Sequence, residues 1–343
     1  MARPMSVNVA EVATRANVSI ASVSRVLNNQ SGVSEKLRSK IRAILEDDGK
    51  YSSHVSERGV KLAVIIEMDK PHVSTYISSL LTGIADYALH NNIDISTVFV
   101  QTADKAKTDF LRILRERHCD GVILMFSSTL NSEQLNELIK AKMAVMVLNG
   151  RCEHPKGGYL YTDPDAGMGL LLNHLSHLGH RDIAFLAGPQ AGDYDNSQRV
   201  EVFKDHLTAA GHKQVDHLLA EHHPTRIAQE AGYHQATDIL KRSPQVTAMI
   251  ANNDEMAYGA MLACHEAGRH VPNDISVVGF DDYPGSAYTV PPLTTVRQHL
   301  NDVGYQSVEA VYEYVSGSQK KLPRKVLKPE LIVRGSTAAV GKK

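Results

Sequence analysis

Apolar positions in the first fifty residues fall into three short helical stripes. Val9, Val12, Ala13 and Ala16 recur at i, i+3, i+4 and i+7, which is one face of a helix. Asn8 is a good N-cap for it, and Glu11 completes a capping box. The stripe stops at Ala16, and Asn17 tolerates the left-handed backbone that a tight helix-to-helix turn needs. Val18 plugs the space between the helices. Ser19 then caps a second helix. Val23, Val26 and Leu27 form its inner face, while Ile20, Ala21, Ser22, Ser24, Arg25 and Asn28 point outward or sideways. After the loop NNQSG, Ser34 caps a third helix with Glu35 in its first turn. Leu37, Ile41, Ile44 and Leu45 lie inside, and Lys36, Arg38, Lys40 and Arg42 cover the rest of its surface.

From Leu62 the pattern changes to strand alternating with helix. The run LAVIIE (62–67) is a buried strand. Helix 76–90, strand 95–100, helix 105–117, strand 121–126, helix 132–140 and strand 143–149 follow. The alternation restarts with helix 165–178, strand 182–188, helix 199–210 and strand 216–221. It ends with helix 227–240, strand 247–252, helix 256–267 and strand 275–280. Such alternation predicts right-handed βαβ units on parallel sheets. Continuous apolar runs predict sheets covered on both faces. So many strands fit two doubly wound lobes better than one sheet, with residues 150–158 as the first crossover. The expected fold is an all-α helix-turn-helix head on an α/β body of two lobes.

Composition adds little until it is divided along the chain. The 343 residues carry a net charge of −1, with 43% apolar and 22% charged residues, as in an ordinary globular protein. Residues 1–61 hold ten Lys/Arg against six Asp/Glu, while the remainder holds 27 against 32. A basic head on an acidic body fits a nucleic-acid contact at one end. The start, MARPMSVNVAEVA, has no long apolar run, so no secretory signal is expected. No apolar stretch is long enough to span a membrane. Three separated cysteines, Cys119, Cys152 and Cys264, suit a reducing cytoplasm rather than a disulfide framework.

The head carries the first candidate chemistry. A helix whose outer side is small and polar and ends in Arg25 can enter a major groove without clashing, and the guanidinium can bond guanine or phosphate. In the body, ligands of doubly wound sheets sit at the carboxyl ends of the strands, here between the lobes. The residues following those strands include Asp69, Tyr76, Phe126, Asn149, Arg151, Asp163, Arg199, Asn253, Asp254, Asp281 and Asp282. Carboxylates, amides, an Arg and an aromatic suit a hydroxyl-rich ligand. Each Asn or Asp has an alternative role as a turn or cap residue, Asp163 among them. Seventeen His fall in no metal-binding spacing, and no CxxC, P-loop, dinucleotide fingerprint or nucleophile elbow occurs. No metal, cofactor or catalytic set is expected.

The run VAEVATRANVSIASVSRVLNNQSGVSEKLRSKI resembles the head of the LacI/GalR family of bacterial regulators. VSxxxVSRVLN followed by VSExxRxxI carries that resemblance. By position it implies that Ile20 and Ala21 read bases, with Arg25 as a further base or phosphate contact. Ser19, Ser22, Ser24 and Asn28 would hold the DNA backbone, with Asn8 and Tyr51 also in the interface. Asn17 replaces the glycine usual at that turn. The segment GKYSSHVSERGVK keeps Tyr51 but lacks the family's Pro-Asn and Ala-x-x-Leu and is several residues short. It reads as a shortened, Ser-rich linker.

The likeness continues through HLSHLGHRDIAFLAGP, MIANNDEMAYGAM, VPNDISVVGFDDYPGSAYTVPPLTTVRQ and ELIVRGST. It implies the fold of periplasmic sugar-binding proteins, two lobes joined by three crossovers. The implied division is a head over 1–50, a hinge over 51–61 and a body over 62–340. Its N-lobe would take 62–161 and 299–323, its C-lobe 162–298 and 324–340. Arg199, Asn253 and Asp281 match the main effector contacts, with Gln298 nearby, and Tyr76, Phe126 and Asn149 match first-lobe contacts. Asp69 and Asp163 complete the candidate set. His222-His223 stands at the usual aromatic lid. The tail AAVGKK lacks Leu heptads, so a homodimer on a palindromic operator is expected. The reading is a cytoplasmic transcription regulator, most simply a repressor, controlled by a sugar or sugar derivative. The alternative is a cytoplasmic sugar-binding protein or sugar-acting enzyme of the same two-lobed fold.

Overall fold

The computed structural model describes residues 9–27, 33–34, 37, 39–41, 44, 59–67, 73–125, 132–188, 194–220, 225 and 227–341. In the head, α1 (Val9–Ala16) and α2 (Ile20–Leu27) meet at a left-handed Asn17, φ 55°. Val18 N–H bonds the Ala13 carbonyl at 3.0 Å and closes the turn. Val12, Ala13, Ala16, Val23, Val26 and Ile41 form a small buried core, with Val18, Val33, Leu37 and Ile44 packed against it.

The body begins at β1 (Lys61–Glu67). With β2 (Asp94–Val100), β3 (Gly121–Met125), β4 (Ala144–Leu148), β5 (Gly158–Thr162) and β10 (Arg324–Leu327) it forms one sheet. The order is β10-β5-β4-β3-β1-β2, with every pair parallel. Alternate residues of β1 go to opposite cores. Leu62, Val64 and Ile66 face one cluster, Ala63 and Ile65 the other. Both faces are covered, which is why the strand reads as an unbroken apolar run. The Thr75–His90 and Leu300–Val315 helices pack on the first face, and the Phe110–Glu116 and Ser132–Lys140 helices on the second.

The second sheet has β6 (Ile183–Leu186), β7 (Ala248–Ala251) and β8 (Ser276–Val278) in parallel. Bridges from Val278 to Thr294 and from Asp281 to Arg297 attach β9 (Thr295–Arg297), which pairs antiparallel with β11 (Glu330–Ile332). A single cluster, from Met168 to Val296, fills this lobe.

Several expectations need correction. Residues 150–158 are not a crossover, because they lead into β5, which pairs with β4 in the same sheet. Residues 324–327, assigned to the C-lobe, form β10 beside β5 in the first sheet. The chain therefore passes between sheets after Thr162, between Arg297 and Leu300, and between Leu327 and Glu330. Among the described residues of the expected strand 216–221, Asp216–Leu218 form a 3-10 turn and only Leu219 bridges Phe185. There the chain meets the sheet at its edge and buries just Leu218 and Ala220. Helix 105–117 divides into Thr102–Lys105 and Phe110–Glu116, because Asp109 caps a new helix by accepting from Arg112 N–H at 2.8 Å. The helix expected from Arg199 starts at Tyr194, so Arg199 lies in its second turn.

Candidate functional site

In the head, Ser19 Oγ accepts the Ser22 N–H at 3.1 Å and lies 2.9 Å from Ser22 Oγ, so Ser19 acts as the cap of α2. Val23 and Val26 are buried, while Ile20 is 57% exposed and Ala21 is exposed. A bare isoleucine at the start of a helix has no packing role in the free protein. For Ser24 and Arg25 only the helical backbone is described. Asn8, Asn28 and Tyr51 lie outside the described residues, as does the hinge over 51–58.

Of the body's candidate residues, Arg199, Asp281 and Gln298 meet where β7, β8 and β9 end. Arg199 is buried to 5% exposure. Its Nη1 donates to the Asn252 carbonyl at 2.7 Å and to Asn252 Oδ1 at 3.1 Å. Its guanidinium stacks 3.8 Å from the Phe280 ring centroid. Asp281 follows Phe280 with φ +110°, so the backbone swings its carboxylate away from the strand. Gln298 Nε2 donates to Asp281 Oδ1, and the Asp281 N–H bonds the Val296 carbonyl at 2.7 Å. Burial pushes the Asp281 carboxyl up to about 6, against the opposing pull of Arg199 and the hydrogen bonds from Tyr283 and Gln298.

Asp254 lies behind it, fully buried. It accepts from Tyr283 N–H at 2.7 Å, Ser286 Oγ at 2.5 Å and Thr295 Oγ1 at 2.5 Å. Burial, followed by the negative charge of Asp281, pushes its carboxyl up to about 8. These bonds tie β9, the 281–286 turn and the Asp254–Glu266 helix into one unit. Its place after β7 singles out Asp254 with Asn253, but not its burial, because a carboxylate at a helix start normally faces water.

Asn253 and Asp163 both serve as helix caps. Asn253 Oδ1 accepts from Met256 N–H at 2.8 Å, and its amide nitrogen remains a donor. Asp163 Oδ1 accepts from Asp165 and Ala166 N–H at 3.1 and 3.0 Å. In the first lobe the Tyr76 hydroxyl donates to Asn149 Oδ1 at 3.2 Å, and Asn149 has φ +63°. Asp69, Phe126 and the 222–223 pair lie outside the described residues.

Sequence reading missed Asn252, Phe280, Tyr283, Thr75 and Glu255. Tyr283 belongs to the 281–286 turn yet packs into the first sheet's core. Thr75 Oγ1 donates to Glu255 Oε1 at 2.7 Å and joins a first-lobe helix to a second-lobe helix. A cavity of about 630 Å³, lined by Thr75, Ser79, Asp281, Tyr283, Arg297 and His299 among others, opens beside this junction. The junction offers hydroxyls, amides, carboxylates and one guanidinium, drawn from both lobes. Such a set can hold a polar ligand and register lobe separation. No helix among the described residues is long and apolar enough to cross a membrane.

Residues 8–49 match the family model described as bacterial regulatory proteins, lacI family. Residues 172–337 match the periplasmic binding protein-like domain. The chain is 32% identical over 349 residues to the HTH-type transcriptional regulator MalR of Streptomyces coelicolor, covering 98% of each. It is similar to the solved lac repressor dimer bound to operator and the anti-inducer ONPF, with TM-score 0.71 and 26% identity over 97% of this chain and 99% of that one. It is also similar to a LacI family transcriptional regulator from Enterococcus faecium with bound ribose. There the TM-score is 0.69, with 26% identity over 82% of this chain and 100% of that one.

Proposed function

The chain belongs to the LacI family of bacterial regulatory proteins, and on that premise we propose that it is a repressor whose hold on a palindromic operator is set by a sugar bound between its lobes. The observation that carries the reading is the outer face of α2. Ile20 and Ala21 stand in solvent at its first turn while Val23 and Val26 hold it to the head core. Those two side chains meet base edges, Arg25 adds a base or phosphate contact, and Ser19, Ser22, Ser24 and Asn28 fix the backbone, with Asn8 and Tyr51 beside them.

In the body, Arg199, Asp281, Asn253 and Gln298 hold the ligand's hydroxyls from one side, and Tyr76, Asn149 and Phe126 from the other. Asp69 and Asp163 complete the proposed set. The ribose-bound relative supports a sugar as the ligand class, and carboxylates, amides and a guanidinium suit its hydroxyls as acceptors and donors. One reading helix per head gains affinity and symmetry from a second copy, so the working form is a homodimer in the cytoplasm. Ligand and operator affinities are then coupled reciprocally through lobe separation.

A mobility-shift titration tests this. A duplex is selected by the full chain from a random-sequence library and titrated with and without each sugar of a panel. Release or tightening by one sugar supports the reading. No binding to any duplex at low salt ends it.

A further inference from the structure

All strands of the first sheet are parallel, so their starts lie at one pole of the lobe, opposite the ligand end. The chain enters the body from the head at that pole, through Gly59, Val60 and Lys61. The register shows what else lies there. Leu62 pairs with Gly121, Gly121 with Ala144, Met146 with Gly158, and Tyr159 with Arg324. Lys156 lies two residues before β5, and Lys320 and Lys321 lie four and three residues before β10, so all three stand at the strand starts. Lys142 sits two residues before β4 on the same side. Four strand spacings of about 4.8 Å put the β10 edge roughly 19 Å from β1.

Lys142, Lys156, Lys320 and Lys321 are all exposed. Lys61, Lys105 and Lys204 each face a carboxylate, but among the described residues none of these four does. Arg324 fixes the geometry. Its Nη1 donates to the His154 and Gly157 carbonyls at 2.8 and 3.1 Å, and its guanidinium lies 4.9 Å from the Tyr159 ring centroid. It thereby pins the loop bearing Lys156 beside β10. Helix dipoles do not account for the cluster, because Lys156, Lys320 and Lys321 lie outside helices. Edge protection does not account for it either, since the lysines precede the edge strand rather than lie along it. The same pole carries Asp94 and Asp120, but both engage Lys61: Asp94 pairs with its ammonium at 3.2 Å and Asp120 accepts from its N–H at 2.9 Å.

We propose that this lysine pole of the first lobe is a second DNA-contacting surface, which engages phosphates flanking the sequence read by the head. The partner is the same duplex the head holds, because the tether that delivers the head emerges from this pole and, read from its sequence, is short. Lysines on flexible stems suit phosphates as point charges and carry no base preference. The inference rests on the regulator reading above.

The test uses the full chain and its selected duplex in two lengths. One is trimmed to the selected sequence, and the other is extended by about one helical turn on each side. Three phosphate contacts from each protomer, six in the homodimer, at about 0.9 each should steepen the salt slope on the extended duplex by about 5.4. That is about 1,800-fold more affinity lost between 50 and 200 mM salt. The combined Lys156→Gln, Lys320→Gln, Lys321→Gln chain should lose this difference while binding the trimmed duplex as before. The matching Arg variant should keep it. Equal slopes on both duplexes for the unsubstituted chain, or an equal loss on both in the Gln variant, would overturn the inference. An unsubstituted chain that selects no duplex sinks the regulator reading instead.

Discussion

Thr75 and Glu255 stand 180 positions apart, yet the Thr75 hydroxyl donates to Glu255 Oε1 at 2.7 Å. Gln229 Nε2 donates to the same oxygen at 3.1 Å. Thr75 opens the first helix of one lobe, and Glu255 lies in the first turn of a helix of the other. A bond between the lobes is made only at one separation of them, so it biases their equilibrium toward that separation.

Thr75→Val keeps the shape and removes the donor. A hydrogen bond to a charged group contributes about 1.5–3 kcal/mol in a buried setting. Both partners here are half-buried, so a loss of about 1 kcal/mol, roughly five-fold in ligand Kd, is expected. Calorimetric titration with the active sugar measures it. An unchanged Kd would show that the lobes do not depend on this bond.

Arg199 holds Asn252 and stacks on Phe280 at once, a geometry that needs a planar fork. Arg199→Lys keeps the charge and loses the fork. The variant should still bind DNA, and its thermal shift with the sugar should vanish. A response of full size would remove Arg199 from the ligand site.

In the head, paired changes at Ile20 and Ala21 should alter which duplex the chain selects. Ser19→Ala should leave the selected sequence alone and cost about 1 kcal/mol of head stability through the lost cap. Sequencing the selected pools and melting the proteins separates the two effects. If the Ile20 and Ala21 changes lowered affinity equally on every sequence, their base-reading role would be refuted.

Much of this architecture was legible because its signals are local. β1, β3 and β4 read as apolar runs, and the turn at Asn17 follows from what its neighbours permit. The errors came where the outcome depends on a distant partner. DHLLAE has strand composition but its described residues meet the sheet only at its edge, and residues 150–158 read as a crossover although they lead into β5, which β4 and β10 flank. The site divided the same way. Arg199, Asn253, Asp281 and Gln298 follow from position, and Asn252 and Phe280, which adjoin Asn253 and Asp281 in the chain, do not. Their importance comes from facing Arg199 across the fold, which spacing along the chain does not encode.

Asp254 gives a pH signature. Its folded carboxyl lies up at about 8, above its ordinary 3.8, so the folded state holds a proton that the unfolded chain releases. A group raised in this way contributes stability at low pH that declines as pH rises from about 4 to 8. Melting curves of the unsubstituted chain should therefore drop more steeply between pH 5 and 8 than those of Asp254→Asn. Parallel curves for the two would mean that Asp254 is ionised in the folded protein throughout.

Each lobe contains one helix pair that touches backbone to backbone. A Cβ on Gly304 would overlap the Leu80 carbonyl, and one on Gly83 the Asn301 carbonyl. In the second lobe, a Cβ on Gly259 would overlap the Gln229 carbonyl, and one on Gly232 the Met256 carbonyl. Backbone cannot move aside as a flexible side chain does, so the helices must separate. Gly304→Ala and Gly259→Ala should each cost about 1–3 kcal/mol of stability. Each pair also positions one partner of the inter-lobe bond: Gly259 lies on the helix that bears Glu255, and Gly304 packs on the helix that Thr75 opens. Both variants should therefore weaken the sugar response as Thr75→Val does. Denaturant unfolding and sugar titration on both variants decide it, and a full response in either variant below its melting temperature would free that helix pair from a role in lobe separation.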